Sequence, residues 1–144
     1  MSVPSILAPA AVLVLWSLVV LAWVTATRFP AFAKAGINVA NTPRGARYAD
    51  VEKDMPAKVN WVSHNYTHLM EQPTLFYAAV AILAIAGDTS AVSLYAAWGY
   101  AGLRIVHSLW QGLVNIVKVR IVLFTASTLC LWVLAINGVR VTLA

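Results

Sequence analysis

The sequence predicts an all-α fold: an integral membrane four-helix bundle formed by one domain spanning residues 1–144. Two observations carry this. Apolar residues make up 61% of the chain and charged ones only 10%, against the quarter or so that a water-facing domain carries. The apolar residues also fall into four long runs separated by short polar connections. A hydrocarbon core of ~30 Å takes about 20 helical residues to cross, and each run reaches that length.

The first run, residues 5–27, contains no charge. A signal peptide would need a basic leader and a shorter apolar core. Met1–Pro4 has neither Lys nor Arg, so a retained spanning helix is expected, ending at Arg28 and Pro30. Residues 28–56 are the longest polar stretch. Asn41-Thr42-Pro43-Arg44-Gly45 is turn chemistry, and the stretch is expected to lie as a loop at the membrane surface with only short helices. The second run, residues 57–87, is polar in its first half and nearly pure hydrocarbon from Leu75 to Ala86. Pro73 is expected to kink this helix without ending it, because membrane helices tolerate proline. The third run covers residues 89–115, with Arg104 as its one formal charge, and the fourth covers residues 119–140.

The ten Lys and Arg residues outnumber five Asp and Glu, for a net charge of +5. They cluster at the ends of apolar runs, so topology explains them better than nucleic-acid binding does. The first loop and its edges hold Arg28, Lys34, Arg44, Arg47, Lys53 and Lys58, and the third connection holds Lys118 and Arg120. The second connection has none, and the C-terminus has only Arg140. The positive-inside rule puts the first and third connections in the cytoplasm and both termini on the other side. The single cysteine, Cys130, lies in an apolar run and reads as a buried thiol.

Polar side chains at membrane depth are costly and tend to mark a site. Asn60, His64, His68 and Glu71 are spaced four, four and three apart, which stacks them on one helix face. Arg104, His107 or Ser108, Gln111 and Asn115 follow the same rule on the third helix, and Arg120, Phe124 and Ser127 on the fourth. Glu71 and Arg104 are natural ion-pair partners, whether that pair is structural or part of a site. Arg120 adds a second forked cation suited to a carboxylate, or snorkels at the interface. Two arginines against one glutamate leave a positive surplus that would attract an anion. His64, His68 and Glu71 could ligate a metal, but no fourth ligand accompanies them. No nucleophile elbow, phosphate loop or catalytic carboxylate pair is present.

Two segments resemble the MAPEG family, the membrane-associated proteins in eicosanoid and glutathione metabolism. The stretch from His64 to Tyr77 is similar to the family's second-helix pattern, a polar face ending in Glu71 and followed by Pro73. Arg104-Ile105-Val106-His107-Ser108, followed after eleven residues by Arg120, resembles its third- and fourth-helix motif. The resemblance spans essentially the whole chain. It implies a homotrimer in membrane lipid, with glutathione as cofactor between neighbouring subunits. It also implies a glutathione-dependent transferase or peroxidase acting on hydrophobic small-molecule electrophiles. Arg120 would activate the thiol. Glu71, Arg104, His107, His68 and Gln111 would bind glutathione or shape its site. The chain departs from the enzymes at Thr67 and His68, where they carry Arg and Asn, and at Gln111 and Phe124, where they carry tyrosines. Ile121 stands where a prostaglandin-synthase-like member has a serine. These departures imply an alternative, a non-catalytic lipid-binding or scaffold member of the same fold.

Overall fold

A computed structural model describes residues 5–143, and every regular element among them is helical. Helix α1 runs Leu7–Lys34, α2 Tyr48–Val51, α3 Ala57–Met70, α4 Pro73–Ile85, α5 Ala91–Leu113 and α6 Val117–Leu143. Three stretches are long and apolar enough to cross a membrane: α1, α3 together with α4, and α6. At 23 residues, α5 is long enough to be the expected fourth span, about 35 Å at the usual helical rise. Its inward face carries Ser93, Arg104, His107, Ser108 and Gln111, and this polar stripe sets its composition apart from the other three.

Helix α1 continues seven residues past the expected end at residue 27, through Arg28 and Pro30 to Lys34. Proline costs a helix one hydrogen bond, which a packed membrane helix absorbs. Arg28 has partners that hold it in place. Its Nη2 donates to Ser63 Oγ at 2.9 Å, and its guanidinium lies 4.0 Å from the centre of the Tyr48 ring. The helix closes instead at Gly36, whose φ of +70° suits glycine. Ile37 N–H then donates back to the Phe32 carbonyl at 2.9 Å.

The second run also differs from expectation. Pro73 does not merely kink it; α3 stops at Met70 and α4 starts afresh with Pro73 in its first turn. Glu71 between them leaves helical geometry, with φ −87° and ψ −95°. A proline lacks the N–H that would continue the ladder and is well placed at a helix start. The interruption exposes backbone carbonyls of the last turn of α3.

In the bundle, α5 packs along α6 and against α3 and α1, while α4 packs on α6. The core of the α4 half is apolar. Phe76 stacks on Tyr100 with centroids 4.3 Å apart, beside fully buried Leu83 and Leu134. Large apolar side chains also cover the outside, among them Leu15, Leu18, Ile85, Val122 and Leu129. Such a surface suits lipid and not water.

The loop after α1 is tied down. Tyr48 Oη donates to Asn60 Oδ1 at 2.5 Å, and Asn60 Nδ2 donates to the Glu52 carbonyl at 3.0 Å. His64 Nε2 meets Glu52 Oε1 at 2.6 Å. Asn60 and His64 share a face with His68 as expected, but they serve to clamp the loop.

Candidate functional site

The helix break at Glu71 organises the site. It leaves the His68 carbonyl available, and Arg104 Nη2 donates to it at 2.6 Å. Arg104 is 0% exposed, with neither Nε nor Nη1 partnered. Its guanidinium carbon lies 5.5 Å from the centre of the Phe124 ring. Buried donors without partners are rare in folded proteins, so this group calls for an explanation.

The expected Glu71–Arg104 pair does not form. With its backbone out of the helix, Glu71 turns away and leaves its side chain 60% exposed; its carboxylate lies 3.6 Å from His68 Nδ1. The buried cation therefore meets a backbone dipole in place of a carboxylate.

His68, His107, Val117, Arg120, Ile121 and Phe124 line a cavity of about 230 Å³. The His68 and His107 rings are 6.0 Å apart, and His107 is 6.4 Å from Phe124. Arg120 Nη1 donates to Asn115 Oδ1 at 2.8 Å, while its Nε has no partner. Asn115 is presented from a left-handed backbone at φ +59°, a conformation asparagine tolerates, in the tight turn between α5 and α6. Three of the sequence-derived site residues thus meet here: His68, His107 and Arg120. Arg104 lies behind them, bonded to the His68 backbone. Gln111 is buried in α5 with its Oε1 unpartnered, and it does not line the cavity. Thr67 is exposed and bonds back to the Ser63 carbonyl at 3.3 Å.

The sequence reading missed Gln72 and Thr128. Gln72 Nε2 donates to Thr128 Oγ1 at 2.9 Å, and Tyr100 Oη donates to Gln72 Oε1 at 3.3 Å. The one available signal was an amide beside the helix-breaking proline. These two residues stand at the head of a larger groove of about 670 Å³ between α4 and α6, walled by Leu75, Ala79, Ile82, Leu131, Ala135 and others. On α6 the cavity residues Val117, Arg120, Ile121 and Phe124 and the groove residues Thr128, Leu131, Ala135 and Gly138 recur every three or four positions. That spacing forms one stripe. On the opposite wall, His68 at the end of α3 lines the cavity and Gln72, Leu75 and Ala79 at the start of α4 line the groove. A basic pocket and an apolar groove are therefore consecutive stretches of one surface.

No group of three His, Cys, Asp or Glu side chains among the described residues could hold a metal ion. The model of the MAPEG family matches residues 6–140 of the chain. No curated protein and no solved structure matches it.

Proposed function

The chain belongs to the MAPEG family and is an integral membrane protein, and from that premise we propose that it is a glutathione-dependent transferase or peroxidase acting on hydrophobic electrophiles. The observation that carries this reading is the shared stripe of α6, which joins a basic pocket to an apolar groove. A polar anionic thiol suits the first and a lipid-soluble electrophile the second.

The donors present suit glutathione. Arg120 lines the pocket with its Nε without a protein partner, and a guanidinium fork matches the carboxylates of the tripeptide. Glutathione supplies the thiol, whose thiolate form is the nucleophile. Arg120, lining the pocket, favours the ionised sulfur by its charge. Arg104 holds the broken end of α3 in place through the His68 carbonyl and contributes positive potential from behind. Phe124 and Ile121 wall the pocket with apolar surface, which keeps water away and strengthens the arginine field.

The pocket of one chain, at about 230 Å³, is below the ~300–1,000 Å³ usual for small-molecule sites. The outward-turned Glu71 is positioned to meet a neighbour. Both features support a site shared between subunits, which we propose belongs to a homotrimer with four spans per chain and, by the positive-inside rule, the arginine-rich loops in the cytoplasm.

The test is a calorimetric titration of the detergent-purified protein with glutathione, with thiolate absorbance followed in parallel. Heat of binding and a thiolate band that is lost in Arg120→Ala are expected. No heat and no band would sink the enzyme reading. A second reading, a non-catalytic lipid binder, draws on Phe124, which has no hydroxyl to support a thiolate. Lipid copurifying in the groove, with Arg120→Ala silent in every assay, would favour it.

A further inference from the structure

At the opposite end of the bundle a second polar cavity of about 400 Å³ is lined by Asp88, Ser90, Val92, Asn137, Arg140 and Val141. It plays no part in the glutathione reading. It brings together the turn between α4 and α5, the first turn of α5 and the last turns of α6.

Its lining holds one anion and one cation. Among the described residues, Asp88 and Arg140 form no ion pair with each other, although they face the same space. Asp88 is held in position: Ser90 N–H donates to its Oδ1 at 3.0 Å and Ser90 Oγ to its Oδ2 at 3.1 Å. Burial acts to raise its pKa, but hydrogen bonds from the Ser93 and Ser90 hydroxyls and the Ser90 amide outweigh burial and hold it below the ordinary value. The carboxylate is therefore charged at neutral pH. Asn137 Nδ2 donates to the buried Ser93 Oγ at 3.0 Å, which fixes the amide and leaves its Oδ1 as a second acceptor. Arg140 is exposed, and no hydrogen bond within the described chain restrains its guanidinium.

The cavity lining thus combines a carboxylate held by the α4–α5 turn with an acceptor and a forked cation one turn apart on α6. That arrangement complements a dipolar ligand carrying a primary ammonium and a phosphate on a short linker. Its level in the bundle suggests the source. It lies where α4 and α6 end, with Tyr95 and Trp98 exposed on the first turns of α5. Such aromatics sit at the headgroup depth of a bilayer. Val92 and Val141, both exposed, present apolar surface for the start of an acyl chain.

We propose that Asp88, Asn137 and Arg140 form a headgroup site for an aminophospholipid of the phosphatidylethanolamine type, the ammonium on Asp88 and Asn137 and the phosphate on Arg140. A choline headgroup has the same charges but no N–H donors, so it meets Asp88 by charge alone and leaves the acceptors of Asp88 and Asn137 without hydrogen bonds.

The test is native mass spectrometry of the full-length protein released from mixed micelles. These would contain equal amounts of phosphatidylethanolamine, phosphatidylcholine and phosphatidylglycerol with matched acyl chains. Wild type should retain the ethanolamine lipid several-fold over the other two. Asp88→Asn should remove the preference over choline, and Arg140→Gln should lower retention of both zwitterionic lipids. Arg44→Gln, in the first loop, should behave as wild type. Equal retention of all three lipids by wild type would overturn the proposal, as would an Asp88→Asn variant that keeps the preference over choline or an Arg140→Gln variant that retains both zwitterionic lipids as well as wild type does. If soluble glycerophosphoethanolamine bound as tightly as the lipid, the membrane source would be wrong. Glutathione binding is a separate readout and should be unchanged in both variants.

Discussion

The two halves of this bundle treat their buried polar groups in opposite ways. In the half nearer the 86–90 turn, polar side chains are mostly paired. Gln72 joins Thr128 and Tyr100, and Asn137 joins Ser93; the Tyr77 hydroxyl is an exception. In the half nearer the first loop, Arg104, Gln111 and Asn65 are fully buried and each leaves at least one atom unsatisfied. Paired groups rigidify a core, whereas unpaired ones carry an unmet cost of about 1–3 kcal/mol each. The difference sets the half around Arg104 and Arg120 apart from the other.

The sharpest way to break this comparison is Arg120→Ala. If the unpaired half is catalytic, glutathione-dependent turnover should fall by about 10²–10³-fold, the range for losing one preorganised charge-stabilising group. The melting temperature in detergent should barely move. A fall in stability with no fall in turnover would make Arg120 a structural partner of Asn115 and nothing more.

Arg104→Met separates binding from stability. Replacing a buried ion pair by apolar residues is often neutral or stabilising by about 1–4 kcal/mol, and removing a lone buried charge relieves the same kind of desolvation penalty, while orphaning the His68 carbonyl costs about 1–3 kcal/mol. The two nearly cancel, so unfolding should shift by less than about 2 kcal/mol. Glutathione affinity should fall, and by less than in Arg120→Ala, because Arg104 acts on the pocket only through its charge. Strong destabilisation would mean that the arginine has a structural partner in the assembled protein.

A matched pair of glycine substitutions compares the packing of the two halves directly. A Cβ on Gly112 would sit 2.6 Å and 2.8 Å from the Trp23 ring, whereas one on Gly138 would lie 3.7 Å from Ile82 Cγ2. Overpacking costs about 1–3 kcal/mol, so Gly112→Ala should lower the denaturation midpoint by that equivalent. Gly138→Ala, within α6 and with room for the methyl group, should raise it by the equivalent of about 0.4–1 kcal/mol. Equal effects would show that Trp23 can move aside and that α1 is loosely seated on α5.

Much of this was legible in the sequence, and the limits have identifiable causes. Apolar run length located three candidate spans, and His68, His107 and Arg120, each picked out as polar at membrane depth, line one pocket. The extent of α1 was not legible, because Arg28 is held by Ser63 and Tyr48, partners 35 and 20 residues away. The Glu71–Arg104 pairing failed for a backbone reason. Charge and spacing favoured the pair, but Pro73 breaks the helix just after Glu71 and turns the carboxylate outward. The seam formed by Gln72, Tyr100 and Thr128 joins three helices and has no periodic signature within any one of them.

The smallest expected effect concerns the well-paired half and depends on pH. Asp88 has a folded-state pKa below its ordinary value of 3.8. A carboxyl whose pKa is depressed on folding adds stability above the unfolded value and loses it as pH falls through the folded one. Wild type should therefore be slightly more stable than Asp88→Asn at neutral pH, and the gap should close as pH drops below 3.8. Thermal unfolding of both proteins in detergent across that range measures it. The gain is small because the carboxylate is only half-buried and water competes for its hydrogen bonds. A gap that widened towards acid would mean that the Ser90 contacts favour the protonated carboxyl. The far end of the bundle would then lack the fixed anion on which the proposed headgroup site depends.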